Sequence, residues 1–413
     1  MATLKLGKVD KGKLPKDPKN FLAPYHASMS AKLQKKHRFR DEGVGIWRSF
    51  LEVEGTEVQE LQHFLQSAGF MPNGKIDGIY GYGTMAAVRL FQEYVRTIEG
   101  KETIGIPDGV AGKNTKKHIR AWMEEKLSTP DFVCDWGKAS VDTPTESYRH
   151  WLSLLQKGQA FYQENSHAIL EHIEAFSTPT DTKKIVNWNT SNNTIHLIGI
   201  RRSHDQSYMT ERPNDDLFVL LLNGLTFYFW GSTDPNPGMT DRKDLPFLIE
   251  GQHDYSFGWH KVTDENKVYR ALRPSSNGVL VFRDKDGNKA LTEADLVNGL
   301  DATPNNTINI HWSGIGKTNF SAGCQVIAGA SYINHKEDII DCRDIAATSY
   351  GELGSQKTRG AYNLIADLIL TYAPVGVRNL TYTLTRDDTA FLSDELTVEL
   401  IGEVVGRLNE LTV

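Results

Sequence analysis

The chain has 413 residues, 39% of them hydrophobic, and a net charge of −6, the composition of a water-soluble globular protein too long for one ordinary core. No apolar run approaches the roughly 20 residues of a membrane-spanning helix, and Met1-Ala2-Thr3-Leu4-Lys5-Leu6-Gly7-Lys8 lacks the apolar centre of a secretory signal. We therefore expect no membrane span and synthesis in the cytoplasm, any outside target being reached by lysis, injection or assembly into a particle. Cys134, Cys324 and Cys342 stand at spacings that suit neither a disulfide framework nor a CxxC zinc site.

Charge is unevenly placed. Residues 1–50 hold twelve Lys/Arg against four Asp/Glu, a local +8 that leaves −14 for the rest. This reads as a basic N-terminal arm, extended over its first 20 residues, that docks on a larger assembly. Nucleic acid is not an expected partner, because the arm has no recognition motif and the acidic body repels phosphate.

Residues 51–130 read as a small helical domain. Val58, Leu61 and Leu65 fall at helical spacing, and two turns follow with the pattern D-G-x-x-G-x-x-T: Asp77-Gly78 through Gly81 to Thr84, and Asp108-Gly109 through Gly112 to Thr115. Asp-Gly supplies a turn with positive φ, and the Thr is placed to cap the helix that follows. With Leu61-Gln62, Gly69, Tyr80-Gly81, Ala87-Val88 and Phe91-Gln92 also in place, the segment resembles the peptidoglycan-binding domain of cell-wall hydrolases. The resemblance implies peptidoglycan as partner, with Asp77, Tyr80, Gly81 and Thr84 as candidate substrate contacts.

Residues 131–190 are predicted as a helical spacer carrying Trp151, Leu154, Leu155, Phe161, Ile169 and Ile173 at helical spacing. From Thr194 to Val326 strand patterns dominate, punctuated by the hairpin signal Asn223-Gly224. A helix over 357–372, a strand over 379–385 and a closing helix near 392–410 complete the chain.

The chemistry is concentrated in Ile308-Asn309-Ile310-His311-Trp312-Ser313-Gly314 and in Ser321-Ala322-Gly323-Cys324, whose cysteine stands thirteen residues after His311. A thiol needs a nearby imidazole to become an attacking thiolate at neutral pH, and His311 is the candidate base. Two neighbouring strands would bring the pair together. The Trp312 carbonyl is placed to hold the imidazole tautomer, the N–H groups of Gly323 and Cys324 to form an oxyanion hole, and Ser321 to shape the turn.

This His-then-Cys order resembles the signature of L,D-transpeptidase (YkuD-like) domains, in a diverged, phage-associated branch, over roughly residues 190–390. Ala322 stands where that family has a second histidine, and Gln325 where a small apolar residue is usual. The resemblance implies a cysteine enzyme that acts on stem peptides, with His260 of Phe257-Gly258-Trp259-His260 lining the groove.

Two alternatives are a non-catalytic wall-binding component of a phage tail or injection-type machine, and a zinc-dependent wall hydrolase with His253 and His260, Asp254 between them, as a metal pair. No cofactor and no metal belong to the leading reading. The expected fold class is multidomain α + β: a basic arm (1–50), a peptidoglycan-binding helical bundle (51–130), a spacer (131–190), a mainly-β YkuD-like catalytic domain (191–390) and a C-terminal helix (391–413).

Overall fold

The computed structural model describes residues 2–17, 21, 31, 50–129, 131–165, 168–202, 211–264, 267–354, 356–373, 379–387 and 397–412. The chain divides into two compact units. One comprises Met1–Ser140, Gly258–Arg270 and Asp344–Val377, the other Val141–Phe257, Ala271–Arg343 and Arg378–Val413. Among the described residues no helix is long and apolar enough to cross a membrane.

In the first unit, β1 (Lys8–Asp10) and β2 (Leu51–Val53) pair in parallel beside helices α1 (Glu57–Ser67), α2 (Tyr82–Thr97), α3 (Lys113–Glu125) and the short α4 (Asp135–Lys138). The start of the expected arm is thus part of a fold: Leu4, Leu6 and Val9 are buried. Asp10 accepts the N–H groups of Val58 and Gln59 at 2.8 Å each, where the open amides at the start of α1 favour a carboxylate. Residues 22–30 and 32–49 of the arm lie outside the described residues.

The repeated turn is built twice on one plan. Gln62 Nε2 donates to Asp77 Oδ1, the Ile79 carbonyl and Thr84 Oγ1, while Gln62 Oε1 accepts the Gly78 N–H. Gln92 repeats each bond with Asp108, Val110, Thr115 and Gly109. Both Asp-Gly glycines take φ +73°, where a side chain would be strained. An aromatic cluster of Phe64, Phe70, Phe91, Tyr94, Trp122 and Trp136 fills the core with mostly edge-on contacts.

The second unit opens with α5 (Glu146–Glu164) and α6 (Ala168–Ala175), then β3 (Thr182–Lys183), β4 (His196–Arg201), β5 (Asp216–Leu222), β6 (Leu225–Ser232) and β7 (Pro246–Leu248). Next come β8 (Gly251–His260) and β9 (Tyr269–Pro274), of which residues 258–260 and 269–270 belong to the first unit, then β10 (Val281–Arg283), α7 (Glu293–Asn298), β11 (Ile310–Trp312), β12 (Gln325–Ile327), β13 (Ser331–Ile333) and β14 (Ile339–Asp341). After α8 (Ala361–Tyr372), which belongs to the first unit, β15 (Asn379–Arg386) and α9 (Val398–Asn409) complete the second.

The main sheet runs β12-β11-β9-β8-β15-β4-β5-β6-β13-β14, and an additional β12–β6 pairing closes it into a barrel. Closure requires Gly231 on β6, where an added Cβ would sit 1.8 Å from the Val326 carbonyl oxygen. The hairpin expected at Asn223-Gly224 is present, Leu222 facing Leu225 and both turn residues at positive φ.

Several expected boundaries are corrected. The spacer helix α5 is not a linker but a wall of the second unit: Tyr148, Trp151 and Leu154 share a buried cluster with Ile198, Leu217, Val219 and Trp230. The closing helix α9 adds Ile401, Val405 and Leu408 to the same cluster. Helix α8, expected in the catalytic domain, lies instead in the first unit. There the Asp367 carboxylate accepts Arg89 at 2.6 and 2.8 Å and Arg270 at 2.8 Å, and the Tyr372 hydroxyl donates to the Gly69 carbonyl. Linear boundaries miss such an exchange because a helix's apolar surface names no partner.

Two predictions follow from this packing. Gln92→Ala leaves the Gly109 N–H and the Asp108 carboxylate short of a partner in a buried turn, so it should cost about 1–3 kcal/mol in urea unfolding, several times the effect of an exposed Gln→Ala. A change within error would remove the turn's dependence on this amide.

The second concerns acid. Burial pushes His196 down to about 4 and His253 down to about 3, so both are neutral at pH 7. A histidine whose folded pKa lies below its unfolded value of about 6.5 adds stability that is complete above that value and is lost as pH falls through the folded one. Stability should therefore drop between about pH 6.5 and 4, by on the order of 3 kcal/mol per histidine if the native state persists. His253→Gln should make this slope shallower, and equal slopes in urea titrations at pH 7, 5 and 4 would exclude the effect.

Candidate functional site

β11 and β12 pair in parallel, with Ile310 facing Gln325, His311 facing Val326 and Trp312 facing Ile327. The Gln325 N–H donates to the Asn309 carbonyl, which brings Cys324 beside Asn309 at the mouth of the pair. Residues opposite one another share a face and alternate along each strand, so Asn309, His311 and Cys324 fall on one side while Ile310 and Gln325 fall on the other. A ring nitrogen of His311 and the Cys324 sulfur consequently lie within 4.8 Å of one another.

The imidazole is oriented from behind. His311 Nδ1 lies 2.9 Å from the Trp312 carbonyl, and a carbonyl only accepts, so Nδ1 carries the proton and Nε2 holds the lone pair of the neutral ring. His311 and Trp312 are both buried. The sulfur has two backbone neighbours: the Asn309 N–H donates to Sγ at 3.3 Å, and the thiol donates to the Thr307 carbonyl at 3.3 Å. An amide aimed at sulfur favours the thiolate, which the thiol's own bond to a carbonyl opposes.

The turn before the thiol is held by polar groups of the β6–β7 connection. The Asn236 N–H donates to the Ser321 carbonyl at 2.7 Å, Asn319 Nδ2 donates to the Asp234 carbonyl, and Asn319 Oδ1 accepts the Ser321 N–H. Asp234 is in turn paired with the buried Arg201 at 3.0 Å, which also reaches Glu250. Gly323 is required by space, since an added Cβ would meet Pro246 Cγ at 2.6 Å. Its N–H donates to Ser321 Oγ at 3.3 Å. Ser321 thus shapes the turn, while the Gly323 N–H expected in an oxyanion hole already has a partner that must be exchanged. Gln325 points into the barrel, donating to the Thr233 carbonyl and accepting the Tyr382 hydroxyl.

Four of the expected substrate contacts lie on the repeated turn of the first unit. Tyr80 is fully buried with its hydroxyl on the Gly109 carbonyl, Thr84 is buried against Gln62, Asp77 organises the turn, and Gly81 immediately precedes α2. Side-chain oxygens of Asp77, Tyr80 and Thr84 thus take part in the internal bonds of the repeated turn. His260 ends β8 in the first unit, its ring 5.6 Å from Tyr269 and edge-on.

The alternative zinc pair is weakened at His253. That residue is buried, with Nδ1 3.0 Å from Thr182 Oγ1 and Nε2 2.9 Å from the Ile249 carbonyl, so both ring nitrogens are engaged, while Asp254 pairs with Lys183. In the second unit Asp284, Asp286 and Asp295 bring oxygens within 4.8 Å of one another, but Asp284 and Asp295 accept N–H groups of their own loop. Cys134 and Cys342 are buried, and burial pushes the Cys134 thiol up to about 12, whereas Cys324 is half-buried.

Sequence patterns did not single out Thr307, Asn309, Asn236 or Asn319 in these roles. A short signal existed for Asn236, since Asp-Pro-Asn-Pro-Gly is turn chemistry and its Oδ1 accepts the Gly238 N–H.

Residues 54–96 match the peptidoglycan binding domain family PG_binding_1. The chain is also similar to spore cortex-lytic enzymes: 36% identical over 99 residues to that of Bacillus subtilis (strain 168), covering 22% of this chain and 30% of the relative. The enzyme of Oceanobacillus iheyensis is 48% identical over 101 residues, covering 22% and 33%. The matched stretch thus spans about a third of the length of these curated relatives. A solved structure of a fused Zn-dependent amidase/peptidase/peptidoglycan-binding domain-containing protein from Clostridium acetobutylicum ATCC 824 is 14% identical, covering 80% of this chain and 95% of that one. The TM-score of that match is 0.22. The chain thus holds a peptidoglycan binding domain at residues 54–96, homologous to part of the spore cortex-lytic enzymes.

Proposed function

We propose that this protein binds peptidoglycan through its first unit and acts on wall stem peptides through Cys324, by L,D-transpeptidase-like (YkuD-like) acyl transfer or hydrolysis. The observation that carries the reading is the Cys324 sulfur within 4.8 Å of a His311 ring nitrogen, on a ring whose Nδ1 is tied to the Trp312 carbonyl. Nε2 takes the thiol proton, and the sulfur attacks a peptide carbonyl to form a C–S bond. The C–N bond then breaks, and the departing amine takes the proton from the imidazolium. An amine or water next attacks the thioester and releases Cys324. The Cys324 N–H is the candidate oxyanion donor, with the Gly323 N–H joining only if it leaves Ser321 Oγ. The wall-associated setting is supported by the match at 54–96 and by relatives named as cortex-lytic enzymes.

The test is to incubate purified sacculi with the full chain and profile the released or newly cross-linked muropeptides. Cys324→Ala should abolish product, and His311→Ala should lower the rate by about 10²–10⁴-fold, the range of a lost general base. Both variants should still co-sediment with sacculi. Iodoacetamide should label Cys324 in preference to Cys134, and label it more slowly in His311→Ala. Wild-type chain that binds sacculi but yields neither product nor an acyl adduct on Cys324 would leave a non-catalytic wall-binding component as the reading.

A further inference from the structure

The strand next to β11 on its other side brings a cation to the thiol. β9 pairs antiparallel with β11, Leu272 facing Ile310. One step along this register sets Arg273 opposite Asn309, and alternation turns it to the face that Asn309 shares with Cys324 and His311. Arg273, Asn309 and Cys324 thus form a row across three adjacent strands.

One hydrogen bond agrees with this placement. Arg273 Nη2 donates to the Asn306 carbonyl at 3.0 Å, next to Thr307, whose carbonyl accepts the Cys324 thiol. Burial lowers the Arg273 pKa from the ordinary arginine value, while the charge of the neighbouring Cys324 sulfur raises it. The side chain is half-buried, where a charge is screened less than on an open surface.

We propose that Arg273 is the anion-recognising residue of the Cys324 site, positioning a carboxylate of the acyl-donor peptide and so selecting donors that carry a free carboxylate near the attacked carbonyl. The proposal rests on the reading of Cys324 as nucleophile. A planar guanidinium matches a carboxylate with two parallel hydrogen bonds, which a lysine ammonium does not reproduce. The carboxylate can be the peptide's C-terminus or one on a side chain, and the two share this chemistry.

The test reads the thiol directly, without turnover. Cys324 in the full chain is alkylated with iodoacetate and with iodoacetamide, and the ratio of the two rates is compared with that of free cysteine. Because both reagents consume the same thiolate, the ratio cancels thiolate fraction and reports the charge beside the sulfur. Wild type should favour iodoacetate by about fivefold over the free-cysteine ratio, the Boltzmann factor of two unit charges in near contact across water. The preference should shrink with added salt. Arg273→Gln should abolish it and Arg273→Lys retain most of it. A wild-type ratio equal to free cysteine, or one unchanged in a folded Arg273→Gln, overturns the proposal. The salt series on wild type decides if that variant does not fold, a preference insensitive to salt being the overturning result.

With donor peptides, amidating the C-terminal carboxylate or the side-chain carboxylate identifies the source by which change raises KM. Indifference to both overturns the proposal. If no peptide turns over at all, the alkylation ratio still decides on Arg273, so failure of the catalytic reading and failure of this one remain distinct.

Discussion

The parallel pairing of β11 with β12 is the constraint on which the candidate site depends. It puts His311 and Cys324 on one face, and it lets the Asn309 amide reach the sulfur. A slip of one residue would turn Cys324 into the barrel and Gln325 out of it, reversing both sides at once. The buried bonds of Gln325 to Thr233 and Tyr382 oppose that slip, since it would strand their polar groups. Gln325 therefore acts as a register pin.

The pair is itself held by barrel closure. β12 sits between β11 and β6, and Gly231 permits the approach of β6 because it has no Cβ. Beyond β6 the chain runs through Thr233, Asp234 and Asn236, which bind Asp216, Arg201 and the turn before Cys324. Asp216 is buried among Asp215 and Asp234, and its pKa is raised to about 8, first by desolvation and then by those neighbouring charges. The buried ion pairs of Arg201 with Asp234 and Glu250 add little net stability, because desolvation offsets attraction, but they penalise any arrangement that leaves one charge unpaired. Their structural effect is to hold the 319–324 turn in one conformation.

In the first unit, an amide does the work that the repeated turn alone does not. Gln62 and Gln92 each gather an aspartate, a glycine N–H, a carbonyl and a threonine, so the residues that look like ligand contacts are consumed by the fold.

The repeated turns, the Asn223-Gly224 hairpin and the strand character of Ile308–Trp312 were legible in the chain alone. Each of these is a local pattern, set by φ preferences or periodicity. Only the tertiary structure decided that α5 and α9 wall the second unit, that α8 joins the first through Asp367, and that Arg273 shares a face with Cys324. It also decided that Tyr80 and Thr84 are interior. Those outcomes depend on which surface meets which across separations such as the 278 positions from Arg89 to Asp367, and a side chain's identity states its chemistry without naming its partner.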